Sequence, residues 1–186
     1  MSGLTTDDRE RIAADIVVSC SGRWTDRVMA LAGAEISMAP TLGMLVTTSK
    51  VASAQRSLVH APGVNLRPDG GSRFLLASYE IDALLRDDLP QESLNGFAEE
   101  ILDRAQSVLP SLSGSSVESI VIGVRSIPAD GFPAVGPVPG TEGMYVVATH
   151  SGITMGPLLG RLAAQEILGG APDVRLETFR PDRFLV

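Results

Sequence analysis

A strand that runs through a glycine-bearing loop into a helix is the feature that most restricts the fold of this chain. Met144 to Ala148 form a short apolar run that predicts a buried strand, and the loop after it carries Gly152. Apolar positions then recur at helical spacing from Pro157 to Leu168, and Gly169-Gly170 end the predicted helix. At such a junction the backbone amides and the positive end of the helix dipole converge, which suits an anion or a developing negative charge.

A second strand, turn and helix lie near the start of the chain. Ile16 to Val18 predict a buried strand, Cys20 to Gly22 a turn of small residues, and Trp24 to Leu31 a helix. The amides at this helix start suit a phosphate or the edge of a ring. An ordinary connection between a strand and a helix has the same pattern.

The middle of the chain predicts strands and one long helix. Apolar residues between Pro90 and Pro110 recur every three or four positions, which predicts an amphipathic helix. The strands are expected at Met44–Thr48, Ser57–Ala61, Arg73–Ser78 and Val117–Val124, with a hairpin turn at Pro68–Gly71 and a Pro/Gly-rich connector at Pro128–Gly143. The fold class is therefore α+β, with a mixed or antiparallel sheet and flanking helices.

Charge and composition exclude several classes of function. There are 15 Lys+Arg against 22 Asp+Glu, a net charge of −7, so neither nucleic acid nor a membrane surface is an expected partner. One cysteine and two histidines are too few for a convincing zinc site, and no metal is expected. The polar, acidic start does not resemble a secretory signal, and no apolar run has a membrane-spanning length. We therefore expect a soluble, cytoplasmic protein.

Two side chains and one glycine series are candidates for chemistry. Arg125 follows the apolar run Ile120–Val124, and an arginine at the end of a buried strand needs an anion, either a substrate carboxylate or the side chain of Asp130. His150 is a candidate base or a structural hydrogen-bonding residue. Gly152, Gly156 and Gly160 recur every four residues and share a helix face, which allows close approach of a flat ligand or of another element.

Six motifs in a fixed order make the sequence resemble a known family. They are Val17–Trp24, Pro40–Gly43, Leu66–Gly70, Gly123–Pro137, Met144–Leu162 and Phe179–Phe184. This combination resembles the FAD-dependent amine and D-amino-acid oxidase family, which includes glycine oxidase and sarcosine oxidase. The resemblance spans nearly the whole chain and implies oxidation of a C–N bond by hydride transfer to flavin.

The resemblance also implies roles for particular residues. Arg125 matches the arginine that grips the substrate carboxylate, and the segment from His150 to Thr154 matches the loop that lies against the flavin ring. The catalytic residues expected are Arg125 and His150, and the cofactor-binding residues expected are Ser21, Gly22, Trp24, Arg125, His150, Ser151, Gly152, Ile153 and Thr154. Cys20 does not match the cysteine that attaches flavin covalently in some members, so non-covalent FAD is expected. Ser126 replaces the usual proline after the arginine.

The family's amino-terminal G-x-G-x-x-G fingerprint for the ADP half of FAD does not occur in this sequence. The chain therefore resembles only the carboxy-terminal half of such an enzyme. Residues 1–36 are expected to be a remnant of the FAD-binding, Rossmann-like domain, 37–120 the substrate-binding domain, and 121–186 the return to the FAD-binding domain. Lys50 does not match the lysine of some oxidases, so oxidase and dehydrogenase activities both stay open.

Three functions remain possible at this level. The chain is part of an oxidoreductase acting on an amino acid or amine, completed by an FAD-binding chain or by a homo-oligomer. Alternatively, it is a non-catalytic truncated module that binds a partner chain without flavin. A free-standing enzyme with His150 as base is the third hypothesis, but no nucleophile, metal cluster or paired carboxylates accompany that residue.

Overall fold

The computed structural model describes residues 3–184, and the chain divides into two compact units. One unit combines the chain up to Pro40 with the chain from Arg125 onward, and the other comprises Thr41–Val124. The first unit holds β1 (Leu4–Thr5), β2 (Arg11–Ile12), β3 (Val17–Ser19), α1 (Thr25–Leu31), β9 (Ala134–Pro137), β10 (Met144–Ala148) and α4 (Gly152–Gly169). The second holds β4 (Leu42–Thr48), β5 (Val59–Ala61), β6 (Val64–Pro68), β7 (Phe74–Ala77), α2 (Tyr79–Asp82), α3 (Gln91–Val108) and β8 (Val117–Val124).

The second unit is an antiparallel sheet of order β5-β6-β7-β4-β8, with α3 packed on one face. The apolar stripe of α3 buries Ala98, Ile101, Leu102 and Ala105 against the sheet, which confirms the predicted amphipathic helix. The predicted hairpin between Ser57–Ala61 and Arg73–Ser78 was wrong, because the strand β6 between them was not predicted. The turn at Pro68–Gly71 joins β7 to β6, and β5 pairs with β6 in a separate hairpin.

The strand that precedes Arg125 is not buried, contrary to the expectation. β8 is the edge strand of its sheet and pairs only with β4, and none of its residues is fully buried. Val121, paired with Leu45, is 56% exposed on the sheet face opposite the core. An apolar run along an edge strand therefore does not by itself require an anionic partner for the arginine that follows.

The first unit contains a three-stranded sheet of order β3-β10-β9 with core on both faces. β3 runs parallel to β10, and β9 runs antiparallel to it. Alternate residues of β10 divide between the faces: Met144 and Val146 pack with Met29 of α1, and Tyr145 packs with Leu159 of α4. The expected connector Pro128–Gly143 was wrong in part, because β9 forms within it.

The helix α4 begins five residues earlier than predicted. Gly152 is its first residue, and Pro157 lies inside the helix rather than at its start. The predicted end is confirmed, because Gly170 caps the helix in the left-handed conformation at φ 68°. The antiparallel and mixed sheets with flanking helices confirm the predicted fold class. Within the described residues, no helix is both long and apolar enough to cross a membrane.

Candidate functional site

A cavity of about 600 Å³ opens in the first unit where β3 and β10 end and α4 begins. Small-molecule sites generally range from about 300 to 1,000 Å³, so this cavity has the size for a cofactor ring or a similar ligand. Its walls are mostly apolar and include Val18, Val147 and Leu159. Polar side chains enter from Ser126, Thr149 and His150. The cavity therefore suits a flat, largely apolar ligand with a few polar atoms.

Small residues of α4 form one wall of this cavity. Gly152, Gly156 and Gly160 line it together with Ala163 and Ala164. A Cβ atom built on any of the three glycines would meet no other atom within 4 Å, apart from the helix's own backbone and chain neighbours. Packing within the described chain therefore does not require glycine at these positions. The wall instead leaves space for something flat to lie close to the helix backbone.

The positive end of the α4 dipole lies at the cavity. His150, Gly152 and Ile153 line the cavity at the start of this 18-residue helix, and its first turn contains no acidic residue. The residue before the helix, Ser151, makes no side-chain cap, and its own N–H donates to Thr149 Oγ1 at 3.1 Å. Amide groups and the dipole at this helix start favour a negatively charged atom.

A buried hydroxyl also lies at the cavity. Ser126 Oγ is shielded from solvent and has no hydrogen-bond partner among residues 3–184. It lies 3.9 Å from the position that a Cβ on Gly22 would occupy, so the turn after β3 and the segment after β8 meet here. Unpaired buried polar atoms are rare because their desolvation is costly.

The cavity brings together only part of the predicted site. Of the predicted residues, Gly22, His150, Gly152 and Ile153 line it. Ile153 is 96% exposed although it is apolar. The other predicted residues, which are Ser21, Trp24, Arg125, Ser151 and Thr154, are not among those lining it.

Two predicted residues near the turn after β3 already have partners within the turn. The Ser21 hydroxyl lies 2.9 Å from the hydroxyl of Ser19, and the Trp24 ring lies 4.4 Å from the guanidinium of Arg23. Gly22 adopts a φ of 60°, which a side chain would disfavour. Of this turn, Cys20 and Gly22 are the residues that line the cavity.

Asp130, the internal partner considered for Arg125, binds another arginine. Arg183 donates to both carboxylate oxygens of Asp130, and this hydrogen bonding lowers the pKa of the carboxyl group below its ordinary value. Asp130 and Gly131 also lie in a turn, in which the Gly131 N–H donates to the Pro128 carbonyl at 2.8 Å. Arg125 itself is half-buried directly after β8.

A buried polar cluster, absent from the sequence predictions, lies beside a second cavity of about 350 Å³. Glu166 of α4 accepts hydrogen bonds from the Tyr145 hydroxyl and from both terminal nitrogens of Arg180. Arg180 lowers the pKa of Glu166 to about 2, and burial raises the pKa of Tyr145 above its ordinary value. The only sequence signal was the motif Phe179–Phe184, which contains Arg180. Since these groups satisfy one another, the cluster fastens the segment after α4 to the helix.

The first cavity fits the ring of a flavin on three counts. Side chains on its three glycines would occupy open space in the cavity, and its buried hydroxyl lacks a partner within the described chain. The start of α4 supplies positive potential. The group that fits is planar and mostly apolar, has polar atoms at its edge and tolerates negative charge. Among the described residues, no group of three or more His, Cys, Asp or Glu side chains is placed to hold a metal ion.

Known proteins are similar to this chain in sequence and in fold. Glycine oxidase of Pseudomonas putida is 26% identical over 98% of this chain and 49% of its own length. One of the subunits of opine oxidase from Rhizobium meliloti is 25% identical over 90% of this chain and 43% of its own length. The crystal structure of glycine oxidase from Geobacillus kaustophilus superposes with a TM-score of 0.75 and 26% identity, over 95% of this chain and 47% of that one.

The chain thus spans about half the length of the curated relatives that it matches. The model of the family described as FAD dependent oxidoreductase, DAO, matches residues 1–166. That match includes β3, β10 and most of α4, which together form the cavity. The chain belongs to the DAO family of FAD-dependent oxidoreductases.

Proposed function

We propose that this chain is the part of an FAD-dependent oxidoreductase that holds the flavin ring and binds an amino acid or a related amine. The observation that carries the proposal is the cavity at the start of α4. Small residues, a helix dipole and a hydroxyl without a partner among residues 3–184 meet there. Relatives named as glycine oxidase and as part of an opine oxidase support a substrate that contains a C–N bond.

In this proposal, one unit binds the cofactor and the other binds the substrate. The unit of residues 1–40 and 125–186 belongs to the FAD-binding domain, and the unit of residues 41–124 forms the substrate-binding domain. These bounds replace the expected ones at 36/37 and 120/121, because the latter boundary would divide β8. The sheet face around Leu45 and Val121 carries exposed apolar side chains, which suit contact with a substrate. The smaller sheet presents its cavity to the ring.

Individual residues would have separate tasks. When bound, FAD supplies an acceptor for the hydride that leaves the substrate carbon. The amides at Gly152 and Ile153 stabilise negative charge on the ring, because they lie at the positive end of α4. Arg125 grips the substrate carboxylate through two parallel hydrogen bonds. The two turns that frame the cavity are supported by Ser21, Trp24, Ser151 and Thr154. His150 lines the cavity.

The ADP half of FAD requires a further segment, because the described residues supply no glycine-rich phosphate loop. We propose that a complementing FAD-binding chain or segment supplies it. β3 lies at the edge of its sheet, and its neighbour Ile16 and its own Val18 are exposed apolar residues. An edge strand of this kind is a site where another chain can add a strand.

The experiment is a visible spectrum of the purified chain after incubation with FAD and removal of the excess. The same measurement is made on the chain mixed with the amino-terminal half of Pseudomonas putida glycine oxidase, which supplies an ADP-binding segment. We expect retained flavin in at least the mixture, and anaerobic bleaching by an amino acid or amine. A colourless protein in both samples, or flavin that no amine bleaches, would contradict the proposal.

The variant Arg125→Leu tests whether Arg125 binds the substrate in the sample whose flavin is bleached by an amine. We expect a much higher substrate concentration for half-maximal bleaching, with the flavin content unchanged, because the carboxylate clamp is lost. Arg175→Leu removes an exposed arginine outside the cavity and is the matched control. Equal substrate dependence in all three proteins would remove the clamp role from Arg125.

A non-catalytic module is the second candidate function. The observation that favours it is the exposed β3 edge in a chain that spans half the length of its relatives. Such a module would bind a partner chain through β3 and bind no flavin. A stable complex that stays colourless with FAD would favour this function over the oxidoreductase.

A further inference from the structure

Ser126 borders the large cavity, although no motif assigned it a role. Ser126 lines the large cavity, and its Oγ is buried without a hydrogen-bond partner in the described part of the chain. Because Oγ is shielded in this conformation, its contact with a ligand requires the side chain to turn to another staggered rotamer. Another hydroxyl in the same wall differs, because Thr149 Oγ1 accepts a hydrogen bond from the Ser151 N–H at 3.1 Å. Ser126 therefore contributes a buried hydroxyl to this wall whose hydrogen-bonding capacity is not used by residues 3–184.

Packing does not explain a serine at this position. An alanine would fill almost the same space without burying a polar atom, so the hydroxyl costs stability unless it is paired. The residue usual in the resembling family is proline, which has neither a hydroxyl nor an N–H. A hydrogen bond from Ser126 would therefore belong to this chain rather than to the family pattern.

We propose that Ser126 Oγ donates a hydrogen bond to the polar edge of the flavin ring, an inference that rests on the proposed function. The ring edge presents mainly acceptors, and the hydroxyl donates to N1 or to a carbonyl oxygen, the atoms that carry the negative charge of the reduced ring. The bond fixes the ring in a cavity whose other walls are apolar. It also strengthens when the ring becomes negatively charged on reduction.

Lumiflavin is the probe, because it has the flavin ring but neither phosphate nor adenosine. Its binding therefore does not depend on an ADP-binding segment. Cys20 supplies the readout: it is the single cysteine of the chain, it is exposed, and it lines the same cavity. Alkylation of Cys20 should slow as lumiflavin fills the cavity, and the concentration for half-protection gives the affinity.

The comparison uses the full chain and three variants. Ser126→Ala should need about three- to tenfold more lumiflavin for half-protection, which is the loss expected for one hydrogen bond. Ser126→Pro introduces the family's usual residue and should reduce the affinity for lumiflavin by the same factor. It replaces the alanine variant in the comparison if that variant does not fold. Ser37→Ala changes an exposed serine outside this cavity and should match the unsubstituted chain.

Reduced lumiflavin provides the second readout. If the hydroxyl donates to the ring, Ser126→Ala should weaken binding of reduced lumiflavin by a larger factor than binding of the oxidised form. Equal protection of the serine and alanine proteins in both redox states would overturn the inference while leaving the flavin site in place. Absence of protection by lumiflavin in the unsubstituted chain would remove the ring from this cavity, and the inference would fall with it.

Discussion

The carboxylate of Glu166 accepts hydrogen bonds from both terminal nitrogens of Arg180, 14 residues further along the chain. The Asp173 N–H and the Tyr145 hydroxyl donate to the same carboxylate. The side chains of Glu166 and Arg180 are only 7% and 17% exposed. This pair therefore fixes the segment after α4 onto the helix that walls the cavity.

Removing the positive partner should destabilise the first unit. Arg180→Met leaves a buried carboxylate without its counter-charge, and we expect the free energy of unfolding to fall by about 3 kcal/mol. Urea denaturation followed by circular dichroism measures this change. Arg175→Gln breaks the exposed pair with Asp173 and is the control, for which little change is expected. A similarly small change for both variants would contradict a stabilising role for the buried pair.

Stability should fall at both extremes of pH. The folded protein holds the pKa of Glu166 at about 2, chiefly through hydrogen bonding to Arg180, against an ordinary value of 4.5. The stabilisation is therefore present above about pH 4.5 and is lost as pH falls toward 2. Burial raises the pKa of Tyr145, so its stabilising contribution is lost as pH rises above the ordinary value of 10. Melting temperatures across this range should be lower at both ends.

Glu166→Gln separates this pair from the other carboxyl groups. The variant should be less stable at neutral pH but should lose less further stability on acidification, because the titrating group is gone. Asp130 and Asp173 also have lowered pKa values and will still titrate, so some acid dependence should persist. If the stability of the variant falls with decreasing pH as steeply as that of the unsubstituted chain, Glu166 does not contribute to the acid dependence.

Filling the glycine wall should strengthen the helix and block the ligand. Gly160→Leu in α4 should raise the free energy of unfolding by up to about 1 kcal/mol through helix propensity. The new side chain would project into the cavity, so FAD or lumiflavin should no longer protect Cys20. Gly96→Leu in α3 is the matched control, because it too lies in a helix with no atom within 4 Å of a Cβ. Protection that survives in Gly160→Leu would place the ligand elsewhere.

A carboxylate introduced at the start of α4 should stabilise the helix at either of two positions but weaken ligand binding at only one of them. Ile153→Asp and Thr154→Asp both place a carboxylate in the first turn, where the dipole favours it by about 0.3–1 kcal/mol. Ile153 lines the cavity and Thr154 does not, so only Ile153→Asp should disfavour an anionic ligand there. We expect the affinity for reduced lumiflavin to fall in Ile153→Asp alone, as measured by Cys20 protection. Equal affinities in the two variants would argue against charge at this helix start.

Periodic segments were predictable from sequence, whereas pairings between distant residues were not. The helix from Gln91 to Val108 and the strand from Met144 to Ala148 follow directly from apolar spacing. β9 escaped prediction because it contains Gly136 and ends at Pro137, residues that are typical of a connector. Gly136 is there because Arg180 approaches within 3.0 Å of where its Cβ would be, and this contact is visible only in three dimensions.

The candidate site was predictable in its loops rather than in its individual side chains. Glycine-bearing turns at strand ends located Gly22 and the start of α4, and both line the cavity. Ser126 was noted only as a departure from the family pattern, because nothing local shows that its hydroxyl is buried without a partner in the described chain. Periodicity also suggested a buried strand before Arg125, but an edge strand can have the same apolar run.

The edge position of β3 has a consequence for symmetry. Two copies of this chain related by a two-fold axis perpendicular to the sheet could join their β3 strands only in antiparallel orientation. A different chain has no such restriction and can add a strand parallel to β3, which would continue the direction already set by the pair of β3 and β10. A strand found parallel to Val17–Ser19 would therefore come from a different chain and not from a copy related by such an axis.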